Sequence, residues 1–261
     1  MWIPIEPFHV AYGPATPPTG AISALANLST NYGGPRIMET DTVQNFPFGY
    51  RIRAVDPIMG FGEFIYLQGV ASTIAGNVVN YNPFTGATTL NVPTTITNLP
   101  LAIAVAPTVA SLFGWYQVAG SAIVANNATA AAGKPFLVGT GTISSTSTVS
   151  QEVLNAVIAT ANGSTFTKVG TTRNGSTEIF FPNLDGVFVG CPISGTGVGA
   201  SAVVAAGYNN SPNARNSSAG SATSLISSVA STADGTVTVT FTRTNFSVMY
   251  GQNYVSQGAI T

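Results

Sequence analysis

Alternating apolar and polar residues predict that this chain consists of short β-strands. The clearest alternation is Gly235–Thr242, GTVTVTFT, which places Val237, Val239 and Phe241 on one face. Residues 62–75 also alternate and are rich in β-branched and aromatic side chains, with Gly69 marking a bulge or bend. Further short strands are predicted at residues 77–81, 101–105, 113–124, 177–181, 187–193, 202–206 and 224–230. No amphipathic helices alternate with these segments, which excludes a parallel α/β fold.

Turn signals separate the predicted strands. Residues 82–86, NPFTG, place Pro and Gly at favoured turn positions, and residues 173–176, RNGS, form a second turn. Residues 152–161 are interpreted as a strand that enters a hairpin at Asn162-Gly163. Turn signals about every 8–12 residues are typical of a β-sandwich or β-barrel. A Ser/Thr tract at residues 140–150 indicates that the chain divides into two lobes near this point.

The first twenty residues have a different pattern, with five prolines among three aromatic residues. Proline fixes φ and removes a backbone donor, so neither a helix nor a central strand is expected there. One interpretation is a disordered tail. The other, which we prefer, is an extended arm that docks on a neighbouring subunit, because large apolar side chains need a partner surface. Its anchors would be Trp2, Phe8 and Tyr12.

The low fraction of charged residues limits the classes of function that this chain could have. Charged residues make up 7% of the chain, against about 25% in ordinary soluble domains. Such a surface suits a protein that packs against copies of itself or a lattice, and it also suits a secreted protein. The formal net charge is −1 and no basic stripe exists, so no nucleic-acid partner is expected. No apolar run is long enough for a spanning helix, so no membrane association is expected.

The N-terminal sequence MWIPIEP lacks the basic and apolar regions of an export signal. The single cysteine, Cys191, excludes an intramolecular disulfide. Both features fit a chain that folds in a reducing bacterial cytoplasm.

Few side chains are available for catalysis. His9 is the sole histidine, and Cys191 has no other histidine to activate it, so a nucleophilic site is not expected. Asp56 with Glu63, or Glu178 with Asp185, are the candidate carboxylate pairs of a glycosidase. A structural role is favoured for each pair. Asp56-Pro57 and Asp185-Gly186 are typical turn dipeptides, and Glu63 has Arg51 and Arg53 as nearby ion-pair partners.

Glycines at 195–200, GTGVGA, do not match a dinucleotide loop, because the third glycine is misplaced and no helix follows. They are interpreted as tight turns. No calcium-loop spacing occurs either. We therefore expect no enzyme activity, no cofactor and no metal.

One segment goes beyond composition. Residues 51–75, RIRAVDPIMGFGEFIYLQGVASTIA, resemble the first strands of head decoration proteins of tailed bacteriophages. The matching positions are Arg51, Ala54, Asp56, Gly60, Gly62, Glu63, Phe64, Tyr66 and Leu67. Residues 114–118, GWYQV, and 130–137, AAAGKPFL, are similar to later strands of that family, so the likeness covers about residues 45–165.

The resemblance implies an all-β fold with a β-barrel or jelly-roll-like core. We expect an arm at residues 1–20, this core domain at 21–165 and an additional small β-sandwich-like lobe at 166–261. The C-terminal part departs from the compact family pattern and is similar to small β modules appended to phage surface proteins.

The expected function is that of a structural virion protein. It would bind the outer surface of a phage capsid and cement or decorate the head lattice, after synthesis in the bacterial host cytoplasm. Its partners would be the major capsid protein and copies of itself, as trimers first and dimers second. The alternatives are a tail fibre or receptor-binding protein that recognises a host glycan and, less favoured, a polysaccharide depolymerase.

Overall fold

The fold was obtained as a computed structural model. It describes residues 3–4, 37–56, 58–91, 100–127, 130–146, 151–160, 165–208, 223–243 and 245–257. The described residues form eighteen β-strands and no helix, which confirms the all-β prediction. The predicted arm anchors Trp2, Phe8 and Tyr12, and His9, lie outside the described residues.

Twelve of the strands form the larger sheet. They are β1 (Ile3–Pro4), β2 (Thr40–Asp41), β3 (Arg51–Asp56), β4 (Gly60–Gln68), β5 (Val78–Tyr81), β6 (Thr88–Leu90), β7 (Leu101–Ala104), β8 (Phe113–Ala125), β9 (Phe136–Gly139), β10 (Thr142–Ser144), β11 (Gln151–Thr160) and β18 (Phe246–Gln257). The main path runs β1-β3-β4-β8-β18-β11-β9-β10, and β2 and the β5–β7 strands branch from β8.

The larger sheet curls until it nearly closes as a barrel. Ile143 of β10, at the far end of the path, bridges to Asn126, which directly follows β8. The enclosed core includes Leu137, Ile158, Met249 and Tyr254, all at most 2% exposed. A barrel-like sheet of this kind agrees with the fold class predicted from the strand spacing.

Six strands form the smaller sheet, in the order β14-β17-β12-β13-β16-β15. They are β12 (Thr165–Thr172), β13 (Glu178–Phe181), β14 (Ile193–Ser194), β15 (Val204–Tyr208), β16 (Thr223–Ser227) and β17 (Gly235–Thr242). The observed β17 has the bounds predicted from the alternation. The predicted strand at 187–193 is wrong except at its end, because residues 187–192 form a buried loop and only Ile193 enters β14.

The connection between the two sheets differs from the expected one. β11 pairs with β18 and β9 in the larger sheet, and β12 pairs with β17 and β13 in the smaller one, so β11 and β12 do not pair with each other as the predicted hairpin requires. The chain then returns, because β18 lies between β8 and β11 in the larger sheet. The six strands of the smaller sheet therefore lie between Thr165 and Thr242, and β18, which falls within the expected lobe at 166–261, belongs to the larger sheet.

A shared apolar core joins the two sheets. Phe181, Leu225 and Phe241 of the smaller sheet belong to one buried cluster with Ala125 and Phe246 of the larger one. The rings of Phe188 and Phe246 meet edge to face, with centroids 4.9 Å apart. Because this contact is apolar and buried, it fixes the position of the smaller sheet against the larger one.

Candidate interaction surface

The segment that carries the family resemblance forms the β3–β4 hairpin up to Gln68, whereas residues 69–75, which were predicted to continue the strand, form an irregular connection. Asp56 holds the turn of the hairpin. Its Oδ1 accepts hydrogen bonds from the backbone N–H of Ile58 at 2.8 Å and of Met59 at 2.9 Å. Its Oδ2 accepts from Gly186 N–H, in a loop of the smaller sheet, at 3.1 Å. Asp56 is therefore both the turn residue that the sequence predicted and a polar link between the sheets.

The carboxylate pair Asp56 and Glu63 does not converge. Glu63 is directly opposite Arg53 in the hairpin, and Asp56 lies three residues after Arg53. Since side chains alternate along a strand, Asp56 and Glu63 point to opposite faces. Glu63 Oε1 instead forms an ion pair with Arg51 at 2.6 Å, as the sequence interpretation favoured.

Most of the remaining family-like residues are core residues. Ala54, Phe64, Tyr66 and Leu67 are 0% exposed. The Tyr66 hydroxyl donates a hydrogen bond to Asp41 Oδ2 at 2.6 Å. Burial raises the pKa of Tyr66 well above its ordinary value, and the bond to Asp41 adds to that effect. The family-like pattern in this segment thus specifies the hairpin and its core, and these buried side chains are not available to a partner.

A row of glycines crosses the larger sheet next to this hairpin. Gly62 of β4 is opposite Gly120 of β8, which is opposite Gly251 of β18. Tyr254 covers the inner side of the row, with its hydroxyl donating to Gly120 O at 2.6 Å. A Cβ on Gly120, whose φ is +94°, would lie 2.1 Å from the Phe61 carbonyl oxygen. Only glycine permits this close strand approach.

On the outer side, the same row leaves a groove of about 470 Å³. We name it the sheet-face groove; its lining is Arg53, residues 59–63, residues 119–121, Tyr250 and Gly251. β4 and β18 both run antiparallel to β8, so they run in the same direction. Phe61 and Tyr250 each directly precede the glycine of the row on their strand, and both rings therefore lie on the same face of the sheet. Phe61 is 68% exposed and Tyr250 is 49% exposed.

Another exposed aromatic side chain, Phe84, lies at the β5–β6 turn. Phe84 is 92% exposed, although its backbone is firmly held. Asn82 Oδ1 accepts from the N–H of Phe84 at 2.9 Å and of Thr85 at 3.2 Å, and Gly86 N–H donates to Asn82 O at 2.9 Å. Gln68 N–H donates to Gly86 O at 3.0 Å, which ties the turn to β4. The turn therefore presents an apolar ring to solvent on a rigid base.

Comparisons with protein-family models, with curated proteins and with solved structures each found no match to this chain. The resemblance to head decoration proteins therefore stays a prediction.

The remaining chemical candidates of the sequence have structural surroundings. Cys191 is 0% exposed, and burial raises the pKa of its thiol to about 12. Glu178 Oε1 accepts from Ser224 Oγ at 2.7 Å, within the smaller sheet. Val198 N–H donates to Gly195 O at 3.1 Å, so residues 195–198 form a tight turn, as predicted.

No group of three or more His, Cys, Asp or Glu side chains in the described part of the chain could hold a metal ion. None of the described segments forms a helix long and apolar enough to cross a membrane.

Sequence reasoning missed the exposed aromatic residues of the described chain. It identified Phe61 only as a spacer between Gly60 and Gly62, and it assigned no strand to residues 246–257. A signal for Phe61 and Phe84 did exist. Phe61 lies in the alternation phase opposite to the buried Phe64, and Phe84 lies at the apex of a predicted turn, where a side chain has little to pack against.

Proposed function

We propose that this chain is a structural protein of a tailed-phage head, which binds the outer surface of the capsid and cements or decorates its lattice. The observation that carries the proposal is the Phe84 turn. A phenylalanine that is 92% exposed contributes little to the fold, and its rigid backbone minimises the entropy lost when a partner binds it. Phe84 is the residue that would enter an apolar pocket of the major capsid protein.

The energy available from this contact is modest for one subunit. Burying one phenylalanine side chain contributes about 1.5–3 kcal/mol, and an interface of standard size buries about 1,600 Å² in total. A capsid repeats its subunits, so copies that also contact one another bind with a higher effective concentration. For this reason the proposal includes self-association, as trimers first and dimers second.

The shortage of charge supports the same conclusion. Charged residues make up only 7% of the chain. Most of the surface that would contact a capsid protein can therefore be buried without removing a charged side chain from water. The resemblance of residues 51–75 to head decoration proteins adds a second, independent line of support.

The decisive experiment locates the chain on a virion. Negative-stain images of particles labelled with an antibody to this chain should show label over the head. Label at the tail would favour the alternative function, a receptor-binding protein for a host glycan. Particles without label would contradict the proposal.

A binding assay then tests Phe84. Purified chain should bind heads that lack it, and Phe84→Ser should weaken binding by about 10- to 150-fold, the equivalent of about 1.5–3 kcal/mol. Val169→Ser is the matched control, because Val169 is 55% exposed on the smaller sheet. Equal losses in both variants would contradict a specific role for Phe84.

A further inference from the structure

We propose that the sheet-face groove binds the Pro-rich N-terminal segment, residues 5–20, of a second copy of this chain. The inference specifies how the self-association in the proposed function is made. It does not depend on the capsid being the partner.

The groove has the width and lining for an extended segment. Phe61 and Tyr250 lie on β4 and β18, two strand spacings or about 10 Å apart, with β8 between them. The floor between the two rings is Gly120 and Ser121, which have little or no side chain. An aromatic-walled channel of this width is the kind of surface that binds Pro-rich chains in polyproline II conformation.

Residues 5–20 have the matching composition, IEPFHVAYGPATPPTG. Proline favours polyproline II and has no backbone N–H, so a segment with four prolines buries few unpaired donors and loses little entropy on binding. Phe8 and Tyr12 supply the apolar area.

The direction of β1 indicates that the groove is filled by another copy. Ile3 pairs with Val55 and Pro4 with Ala54, antiparallel to β3, so the chain leaves Pro4 towards Arg51. Phe61 is opposite Val55, at the other end of the hairpin. A segment that leaves in this direction runs away from the Phe61 end of its own groove. Extended residues 5–20 span roughly 50 Å, which reaches a neighbouring copy.

Cysteine crosslinking of the full chain tests this arrangement. Phe8→Cys puts a thiol in the segment, and Ser121→Cys puts one on the groove floor. The native Cys191 is 0% exposed and gives no background. A mixture of the two variants, treated with a short bis-maleimide, should form a covalent dimer of twice 26.6 kDa. A mixture of Phe8→Cys with Val169→Cys, whose position is exposed on the smaller sheet, should not.

The double variant Phe8→Cys with Ser121→Cys distinguishes the two possible sources of the segment. At high dilution it should lose its crosslinked products. An intrachain crosslink that persists at dilution would show that each chain fills its own groove and would overturn the proposal. Absence of a dimer in the Phe8→Cys and Ser121→Cys mixture, or an equal yield with Val169→Cys, would overturn it as well.

Sedimentation velocity gives a second measurement. The wild type should sediment as an oligomer, and Tyr250→Asp should shift it to monomer, because Tyr250 is 49% exposed and its replacement leaves the core intact. A monomeric wild type would contradict the inference. Both experiments use purified protein without heads. If the crosslinked oligomer forms but the antibody does not label virions, the proposed function is refuted and the inference about self-association stands.

Discussion

Replacing Asp56 by Asn tests whether its carboxylate joins the β3–β4 turn to the smaller sheet. Asn has nearly the same shape, so packing is kept. Its amide oxygen can accept the N–H groups of Ile58 and Met59, as Oδ1 does at 2.8 and 2.9 Å. The amide NH₂ then faces the N–H of Gly186, which Oδ2 accepts at 3.1 Å. Two donors then oppose each other, so this link between the sheets is lost.

The lost bond to Gly186 sets the smallest expected cost, because the Asp56 carboxylate also interacts with the positive charge of the amino terminus. A hydrogen bond to a charged group contributes about 1.5–3 kcal/mol, and the Gly186 N–H is left buried without an acceptor. We expect Asp56→Asn to lower the free energy of unfolding by at least about 2 kcal/mol. Glu63→Gln is the matched control in the same hairpin. Its ion pair with Arg51 is partly exposed, so the loss should stay below about 1 kcal/mol.

The effect of Asp56→Asn depends on pH with a defined sign. Burial raises the pKa of the Asp56 carboxyl, whereas the positive charge of the amino terminus and the hydrogen bonds from Met59 and Gly186 lower it, and the pKa lies below the ordinary value of 3.8. A carboxyl with a lowered pKa stabilises the fold above its unfolded-state pKa and loses that contribution as pH falls through the folded-state pKa. The difference between wild type and variant should therefore be constant near neutral pH and shrink below about pH 4.

Urea unfolding at several pH values, followed by tryptophan fluorescence, measures both quantities. Hydrogen exchange at the Gly186 amide adds a local measurement and should become faster in Asp56→Asn at pH 7. A variant within about 0.5 kcal/mol of the wild type, the size of an ordinary surface substitution, would refute the linking role. So would a difference that does not shrink in acid.

Three further predictions concern the glycine row and the buried thiol. Gly120→Ala should destabilise the fold by at least about 3 kcal/mol, because its Cβ would lie 2.1 Å from the Phe61 carbonyl oxygen; an unchanged thermal midpoint would contradict this. Tyr254→Phe should cost about 1 kcal/mol in urea unfolding by removing the bond to Gly120 O, and a neutral result would mean that this bond contributes nothing. Cys191, whose pKa is raised to about 12, should be unreactive to a disulfide reagent at pH 8 and titrate as one thiol in denaturant; rapid native labelling would refute its burial.

Local sequence patterns were sufficient to predict most strands but not their pairing. Gly235–Thr242 was predicted with its observed bounds, because its alternation reflects one buried and one exposed face. The strand at residues 152–161 was also predicted, yet its partner was wrong. Its real neighbour is β18, and the pairing joins residues far apart in sequence, such as Val153 with Ser256. No local pattern contains that information.

The candidate surface was predictable only in part. The turn role of Asp56 and the Arg51–Glu63 pair follow from short-range rules, and both were confirmed. Phe61 and Tyr250 come together because two distant strands flank β8, so their common face appears only once the sheet order is known. The roles predicted for Trp2, Phe8 and Tyr12 remain predictions.

The position of β18 has a consequence for synthesis of the chain on the ribosome. Until Phe246–Gln257 have been translated, the strands that flank them, β8 and β11, each present an unpaired backbone edge. Open edges of this kind recruit strands from other chains. Nascent copies would therefore be prone to aggregate from the time β11 leaves the ribosome until residues 246–257 have followed it. A chaperone that shields strand edges during this period should raise the yield of soluble protein.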